Sequence, residues 1–168
     1  MLTEPIRTAR LDLVPLAVEH AAEMSGVLAD PALHTYIGGE PLCPEALRAR
    51  YERLTAGSPD PAVSWHNWVL RLRTADCLIG TVQATVTPAR RAAEIAWITG
   101  TPWQGRGLAT EAARALTTWL VRHYIRTITA HIHPAHQASA AVARAAGLSP
   151  TQEVDDEGEV VWRLSLGG

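Results

Sequence analysis

Apolar and polar residues alternate along several short stretches of this chain, a pattern typical of half-buried β-strands. The pattern begins at residues 9–16, where Leu11 and Leu13 stand between polar neighbours. Three consecutive segments joined by short polar connections repeat the signal and predict a meander: 65–73, 77–86 and 92–100. A strand over residues 127–133 and a final hairpin around residues 155–158 complete the predicted β-structure.

Helical periodicity, with apolar residues three and four positions apart, marks the segments between these strands. It predicts helices over residues 18–30, 44–57 and 137–146, and a fourth helix that begins near Gly107. The fourth helix carries one apolar stripe: Leu108, Ala112, Ala115, Leu116, Trp119, Leu120 and His123. Because the chain shows neither an internal repeat nor a linker, the order of elements predicts a single α+β domain over residues 1–168.

Composition is that of an ordinary globular protein, with 168 residues of which 47% are hydrophobic and 19% charged. The net charge of -2 provides no basic field, so we expect no nucleic-acid partner. No apolar run approaches the ~20 residues of a membrane-spanning helix, and the N-terminus lacks the apolar core of a signal peptide. Cys43 and Cys77 are far apart and are interpreted as reduced thiols. We therefore expect a cytoplasmic protein with no membrane association.

The most unusual stretch is a glycine turn directly before a strong helix former, within residues 101–116. Gly105 and Gly107 permit backbone conformations and close approaches that other residues do not. The first amides of the following helix have no partner inside it, and with the helix dipole they suit a phosphate group. Arg106 adds a positive charge, while the Walker and dinucleotide-binding glycine motifs are both absent from the sequence. The residues alone leave two interpretations open, a phosphate site and an ordinary turn before a helix.

A family resemblance favours the phosphate site. The segment QGRGLA, from Gln104 to Ala109, is similar to the Q/R-x-x-G-x-G/A signature of the GNAT acetyltransferase superfamily, whose loop holds the pyrophosphate of acetyl-CoA. Residues 93–116 resemble the block around this signature in the RimJ/RimL-like branch, which includes ribosomal-protein N-terminal acetyltransferases. Residues 8–16 and 133–148 resemble two further blocks of the same branch, so the resemblance covers nearly the whole chain.

The resemblance implies the GNAT acyl-CoA N-acyltransferase fold, a mixed central sheet of about seven strands flanked by helices. The strands over 92–100 and 127–133 should run parallel and splay apart near Ile98, with the pantetheine arm of acetyl-CoA in the gap. Backbone groups of Ile98 and Thr99 should pair with that arm as a neighbouring strand would. The other implied acetyl-CoA contacts are Gln104, Gly105, Arg106, Gly107, Leu108, Ala109, Thr110 and His136, the last at a position where the family usually carries asparagine.

The implied reaction is direct transfer of an acetyl group from acetyl-CoA to a primary amine, without a metal. It needs an acceptor for the proton of the amine and a donor for the leaving thiolate. Glu94 is the candidate base: it shares a strand face with Ala96 and Ile98, and we expect these apolar neighbours to raise the pKa of its carboxyl. Ser139 is the candidate donor. The structural alternatives are an arginine-paired or solvated carboxylate and a serine that caps the first helical turn.

The histidines of HIHPAH, residues 131–136, are open to two interpretations. His131, His133 and His136 could ligate zinc, but no nearby acid in the sequence completes the set and the implied chemistry requires no metal. The alternative is a contribution to proton removal or to substrate contact.

The amine acceptor is the least determined part. Segments 31–60 and 150–160 should shape its pocket, and the acidic run 153–159 attracts a cationic amine or is a solvated turn. The candidate aromatic walls are Tyr36, Trp65, His66 and Trp68. Three functions stay open: acetylation of a protein N-terminus or small-molecule amine, narrow-specificity self-protection or metabolite acetylation, and non-catalytic acyl-CoA sensing. The presence of both Glu94 and Ser139 favours catalysis, by a monomer or homodimer.

Overall fold

The computed structural model describes residues 1–167, which form eight strands and four α-helices. The strands are β1 (Ile6–Arg7), β2 (Leu11–Pro15), β3 (Ser64–Leu72), β4 (Cys77–Thr87), β5 (Ala92–Thr99), β6 (Thr127–Ile132), β7 (Ser149–Val154) and β8 (Val160–Ser165). The helices are α1 (Ala21–Val27), α2 (Pro44–Ala56), α3 (Leu108–Arg122) and α4 (Gln137–Ala145). All strands belong to one sheet in the order β1-β2-β3-β4-β5-β6-β8-β7. The mixed α+β sheet predicted from the sequence is confirmed.

Two details differ from the prediction. The sheet has eight strands rather than about seven, because Ile6 and Arg7 pair with β2 in a strand too short to show alternation. The helix expected over residues 18–30 is shorter, since a 3₁₀ turn at Val18–His20 precedes α1.

Helices cover both faces of the sheet, as the alternation of strand side chains requires. On one face, Trp68 and Leu70 of β3 belong to a large core with Leu116 and Trp119 of α3. On the other face, Val69 packs in a smaller core with α1 and α2. No helix formed by residues 1–167 is both long and apolar enough to cross a membrane.

A gap between β5 and β6 opens the middle of the sheet. These strands run parallel, as predicted, but pair only from Ala92–Thr127 to Glu94–Thr129. Beyond that point β5 stays paired with β4 up to Thr99, while β6 stays paired with β8 up to Ile132. Because β5 remains paired with β4 and β6 remains paired with β8, the two strands separate directly after Glu94. This is earlier than the predicted position near Ile98.

Close packing of β4 fixes the far end of β5. A Cβ atom placed on Gly80 would lie 2.2 Å from the carbonyl oxygen of Ile98, so only glycine allows the two strands to approach this closely. The β3–β4 register also shifts after Leu70, and the Gly100 amide donates to the Ile79 carbonyl at 2.8 Å. The strand that borders the gap is thereby held rigidly on its β4 side.

Candidate active site

The glycine turn lies just beyond the C-terminal end of β5 and leads into α3. Gly105 and Gly107 both have φ of 75°, in the left-handed region that favours glycine. Gly107 is the N-cap residue of α3, and no side chain of the described residues caps this end of the helix. The first-turn amides therefore lie at the loop without helical partners, which is the arrangement that binds phosphate.

The predicted loop contacts differ in what they can offer a ligand. Residues 104–107 are exposed and residues 109–110 are half-buried, whereas the side chain of Leu108 is buried, leaving only its backbone for a ligand. Gln104 Nε2 donates to the carbonyl of Thr99 at 2.9 Å and so fastens the loop to the end of β5. Thr99 is buried, and within residues 1–167 its Oγ1 has no hydrogen-bond partner.

A carboxylate in the first turn of α3 braces this loop. Glu111 accepts hydrogen bonds from the Thr8 hydroxyl and from the backbone amide and Nε of Arg10, the latter two at 2.9 Å. Arg10 Nη1 in turn donates to the carbonyl of Arg106 at 2.9 Å. Partial burial acts to raise the pKa of Glu111, but the hydrogen bonds outweigh it and hold the pKa below its ordinary value. Glu111 thus ties the residues before β2 to the glycine loop.

Replacing Glu111 by glutamine is expected to lower the free energy of unfolding by about 1–2 kcal/mol, because hydrogen bonds to charged groups contribute roughly 1.5–3 kcal/mol, less when exposed. Affinity for acetyl-CoA should fall about 10-fold, since Arg10 then holds the loop less firmly. Because folding lowers the Glu111 pKa from 4.5, its stabilisation is present above that value and lost as pH falls through the lowered one. Urea unfolding and calorimetric titration measure both effects.

The matched control is Glu52→Gln, which removes a carboxylate paired with Arg48 on α2, outside the loop and the residues before β2. That variant should lose little stability and keep its affinity for acetyl-CoA. An equal loss of affinity in both variants would contradict a specific bracing role for Glu111.

Glu94 lies at the closed end of the gap, in the last residue pair of the parallel ladder. The apolar enclosure expected for it is wrong, because 59% of its side chain is exposed. Ala96, the next residue on the same strand face, is also exposed, so no helix within residues 1–167 covers this part of the sheet. The Glu94 carboxylate instead faces a histidine, with Glu94 Oε2 lying 3.7 Å from His131 Nε2.

A second carboxylate holds the other side of the His131 ring. His131 Nδ1 and Asp155 Oδ2 are hydrogen-bonded at 2.7 Å, and Asp155 Oδ1 accepts from the amides of Glu157 and Glu159 at 2.9 Å. The bond to His131, followed by those amides, lowers the pKa of Asp155 below its ordinary value. Sequence reasoning missed Asp155 within the acidic run. The sequence did contain a signal: Asp155 is the first residue of a turn that includes Gly158. An aspartate at that position often hydrogen-bonds the backbone of the turn, which fixes its side chain.

Ser139 lies in the first turn of α4 beside an aromatic cluster. Its Oγ is 3.4 Å from His136 Nε2, so it contacts a side chain rather than capping backbone amides. The His136 ring stacks on Tyr36 with centroids 4.5 Å apart, and Tyr36 also lies 5.1 Å from His133. Burial, and then the proximity of His133, lowers the pKa of His136. Both causes disfavour the positively charged form of this ring.

The three histidines of residues 131–136 thus belong to two separate groups. His131 faces Glu94 and Asp155, whereas His133 and His136 face Tyr36. Within residues 1–167 no three histidine, cysteine, aspartate or glutamate side chains are grouped as a metal site would require.

A cavity of about 510 Å³ lies between α2 and the sheet face that carries Ala96 and Ile98. Its other lining residues include Ile37, Leu42, Leu47, Arg50, Tyr51, Asn67 and Gln83. Residues of segment 31–60 contribute to its lining, whereas no described residue of 150–160 does. The prediction of His66 as a wall is wrong: its ring is buried, hydrogen-bonded to Thr3 and Ser64.

Comparison with known proteins gives one family. The model of the acetyltransferase (GNAT) domain matches residues 10–149, which is most of the chain. Comparison with curated proteins found no significant match.

Solved structures of similar fold cover nearly the whole chain. RimL, described as a ribosomal L7/L12 alpha-N-protein acetyltransferase in complex with coenzyme A, is 18% identical with a TM-score of 0.82, covering 97% of this chain and 98% of that one. A Salmonella typhimurium acetyltransferase, described as modifying the N-terminal serine of 50S ribosomal protein L7/L12, is 17% identical with a TM-score of 0.79, covering 98% and 100%. An Agrobacterium tumefaciens acetyltransferase is 24% identical with a TM-score of 0.73, covering 98% and 95%. These likenesses establish the fold.

Proposed function

This chain belongs to the GNAT acetyltransferase family, and from that premise we propose that it moves an acetyl group from acetyl-CoA to a primary amine by direct attack. The observation that carries this proposal is the gap between β5 and β6, which has the uncapped glycine loop at its open end and Glu94 at its closed end. One end of the gap suits phosphate and the other suits proton transfer, as an acyl-CoA thioester requires.

Acetyl-CoA binds to backbone groups of the protein along most of its length. The amides of residues 105–110 hold the pyrophosphate, with Arg106 contributing charge, and three or four such bonds at roughly 1.5–3 kcal/mol each suffice to anchor it. Pantetheine lies along Ile98 and Thr99 like an added strand, since β6 has diverged there. His136 donates one further hydrogen bond to that arm, from a ring held in place by Tyr36.

Chemistry takes place inside the gap, between Glu94 at its closed end and Ser139, which follows the C-terminal end of β6. The amine nitrogen attacks the thioester carbonyl carbon, the carbon–sulfur bond breaks, and the thiolate is protonated through the Ser139 hydroxyl, which regains its proton from solvent. The proton lost by the amine passes to Glu94. Backbone amides of β5 donate to the carbonyl oxygen, whose negative charge grows during the attack.

The acceptor enters through the cavity between α2 and the sheet. A volume of about 510 Å³ lies in the usual range of ligand pockets, and Ala96 and Ile98 are shared between this cavity and the strand that holds the donor. Peptide N-termini are the first acceptors to test, because structural neighbours are described as acting on the N-terminus of L7/L12.

Release of coenzyme A from acetyl-CoA, measured over a panel of peptides and small amines, tests this function. We expect turnover with peptides that have a free N-terminus and none with the same peptides blocked at the N-terminus. Turnover confined to one small amine would favour the narrow metabolite enzyme. Acetyl-CoA binding without release on any amine would contradict catalysis and favour the sensor.

A further inference from the structure

The contact of Glu94 with His131 gives the proton of the amine a path out of the site. We propose that His131, oriented by Asp155, receives this proton from Glu94 and passes it to solvent. The inference rests on the proposed function, because it concerns the same proton. It makes His131 a catalytic partner of Glu94 and Asp155 a positioning residue.

Asp155 fixes which nitrogen of His131 can accept a proton. A carboxylate accepts but does not donate, so the 2.7 Å bond from His131 Nδ1 to Asp155 Oδ2 places the ring hydrogen on Nδ1. The lone pair of the neutral ring then lies on Nε2, the atom 3.7 Å from Glu94 Oε2. Asp155 cannot turn away, because its other oxygen accepts from two backbone amides.

The surrounding charges favour a proton on His131 once it has been transferred. The titratable groups that face the ring are Glu94 on β5, and Asp155 and Glu159 around the turn between β7 and β8. The protonated ring lies between two carboxylates, and each stabilises the charge that the transfer creates.

The path then continues to water. His131 keeps 29% of its side chain exposed, whereas Asp155 keeps 23% and is occupied by its hydrogen bonds. The 3.7 Å between Glu94 Oε2 and His131 Nε2 is longer than a hydrogen bond, so the exposed Glu94 side chain must first move closer to the ring. The proton then passes from the amine to Glu94 Oε2, to His131 Nε2 and to solvent, and His131 returns to its neutral form. No other reactant is needed.

Asp155→Asn tests the positioning role, because asparagine keeps the acceptor for the turn amides but loses the charge. We expect kcat to fall about 10–100-fold with the KM for acetyl-CoA unchanged. The acidic limb of the kcat profile should move to lower pH, since the protonated ring loses a stabilising carboxylate. NMR titration of the His131 ring should show the same downward shift without any turnover. His131→Gln, which does not depend on the turn, should lower kcat to a similar extent.

The matched control is Asp156→Asn, which removes the same charge from the next, exposed residue of the turn. It should leave kcat, the pH profile and the His131 titration unchanged. Equal behaviour of the two asparagine variants, or full kcat in His131→Gln, would overturn the inference while the wild type still acetylates. Absence of acetyl transfer by the wild type would instead refute the proposed function, and the NMR titration would still report on the contact between His131 and Asp155.

Discussion

Replacing Glu94 by glutamine is expected to lower the turnover number by about 10²–10⁴-fold, the usual contribution of a general base. Glutamine keeps the shape and some hydrogen bonding of the side chain but cannot accept the proton. Affinity for acetyl-CoA should barely change, because Glu94 lies at the closed end of the gap, away from the phosphate loop. The wild-type rate should rise with pH as more of the amine loses its proton, and the glutamine variant should stay slower across the range.

The control for this substitution is Glu52→Gln on α2, where the glutamate is 57% exposed and thus matches the 59% of Glu94. It removes one negative charge from α2, the helix that borders the cavity, and should leave turnover unchanged. Turnover rates of both variants with one amine acceptor, measured from mildly acidic to mildly alkaline pH, distinguish a general base at Glu94 from a structural carboxylate. If turnover and pH profile were unchanged in Glu94→Gln, positioning and the strand amides would have to carry catalysis.

Replacing Gly107 by valine is expected to weaken acetyl-CoA binding roughly 10²–10⁴-fold, the equivalent of losing two charge-assisted hydrogen bonds. The new Cβ would lie 3.5 Å from Nη2 of Arg10, and its branches would crowd both the phosphate and Arg10. A side chain in the left-handed region also destabilises the fold by about 1–2 kcal/mol. Acetyl-CoA should raise the melting temperature of the wild type, because only the native state presents the loop, and should raise that of the variant much less.

Backbone strain alone is controlled by Gly147→Val. Gly147 has φ of 97° at the end of α4, and an added Cβ would meet only the Leu164 side chain at 3.8 Å or more. This variant should lose stability and still respond to acetyl-CoA. A wild type that shows no thermal response would remove the basis for a phosphate site, and equal loss of response in both valine variants would favour an ordinary turn.

Local features of the site were predictable because local physics determines them. The left-handed glycines, the start of α3 and the strand that leads into them follow from glycine freedom and helical periodicity within about twenty residues. The splay was predicted only through the family resemblance, and its position was wrong by several residues. It depends on how β5 and β6 are held by β4 and β8, and no pattern within either strand records that competition.

The group around His131 could not be predicted for a different reason. Its three members come from β5, β6 and the last turn, and Asp155 is 24 residues from His131 in sequence. The strand face of Glu94 was correctly predicted to include Ala96 and Ile98. Whether that face is covered depends on which helices pack over it, and Glu94 and Ala96 are left exposed. Alternation along a strand indicates which side chains share a face, but not what lies opposite them.

The two outer edges of the sheet differ from the edge inside the gap in their capacity to aggregate. An unpaired strand edge is a template on which another chain can add a strand. One outer edge is the two-residue β1, and the other is β7, which carries Pro150 and Glu153. Short length, proline and charge all discourage such addition.

The gap side of β5 from Ile95 to Thr99 is a stretch of unpaired backbone without charged side chains, and it lies between two strands of the same sheet. A neighbouring molecule cannot dock a whole strand there without forcing β6 and β8 aside. A slender arm with amide groups fits without doing so. The fold thus keeps one unpaired strand edge, on β5, inside a gap too narrow for a whole strand. An edge that could pair with another protein chain is thereby reserved for a small ligand.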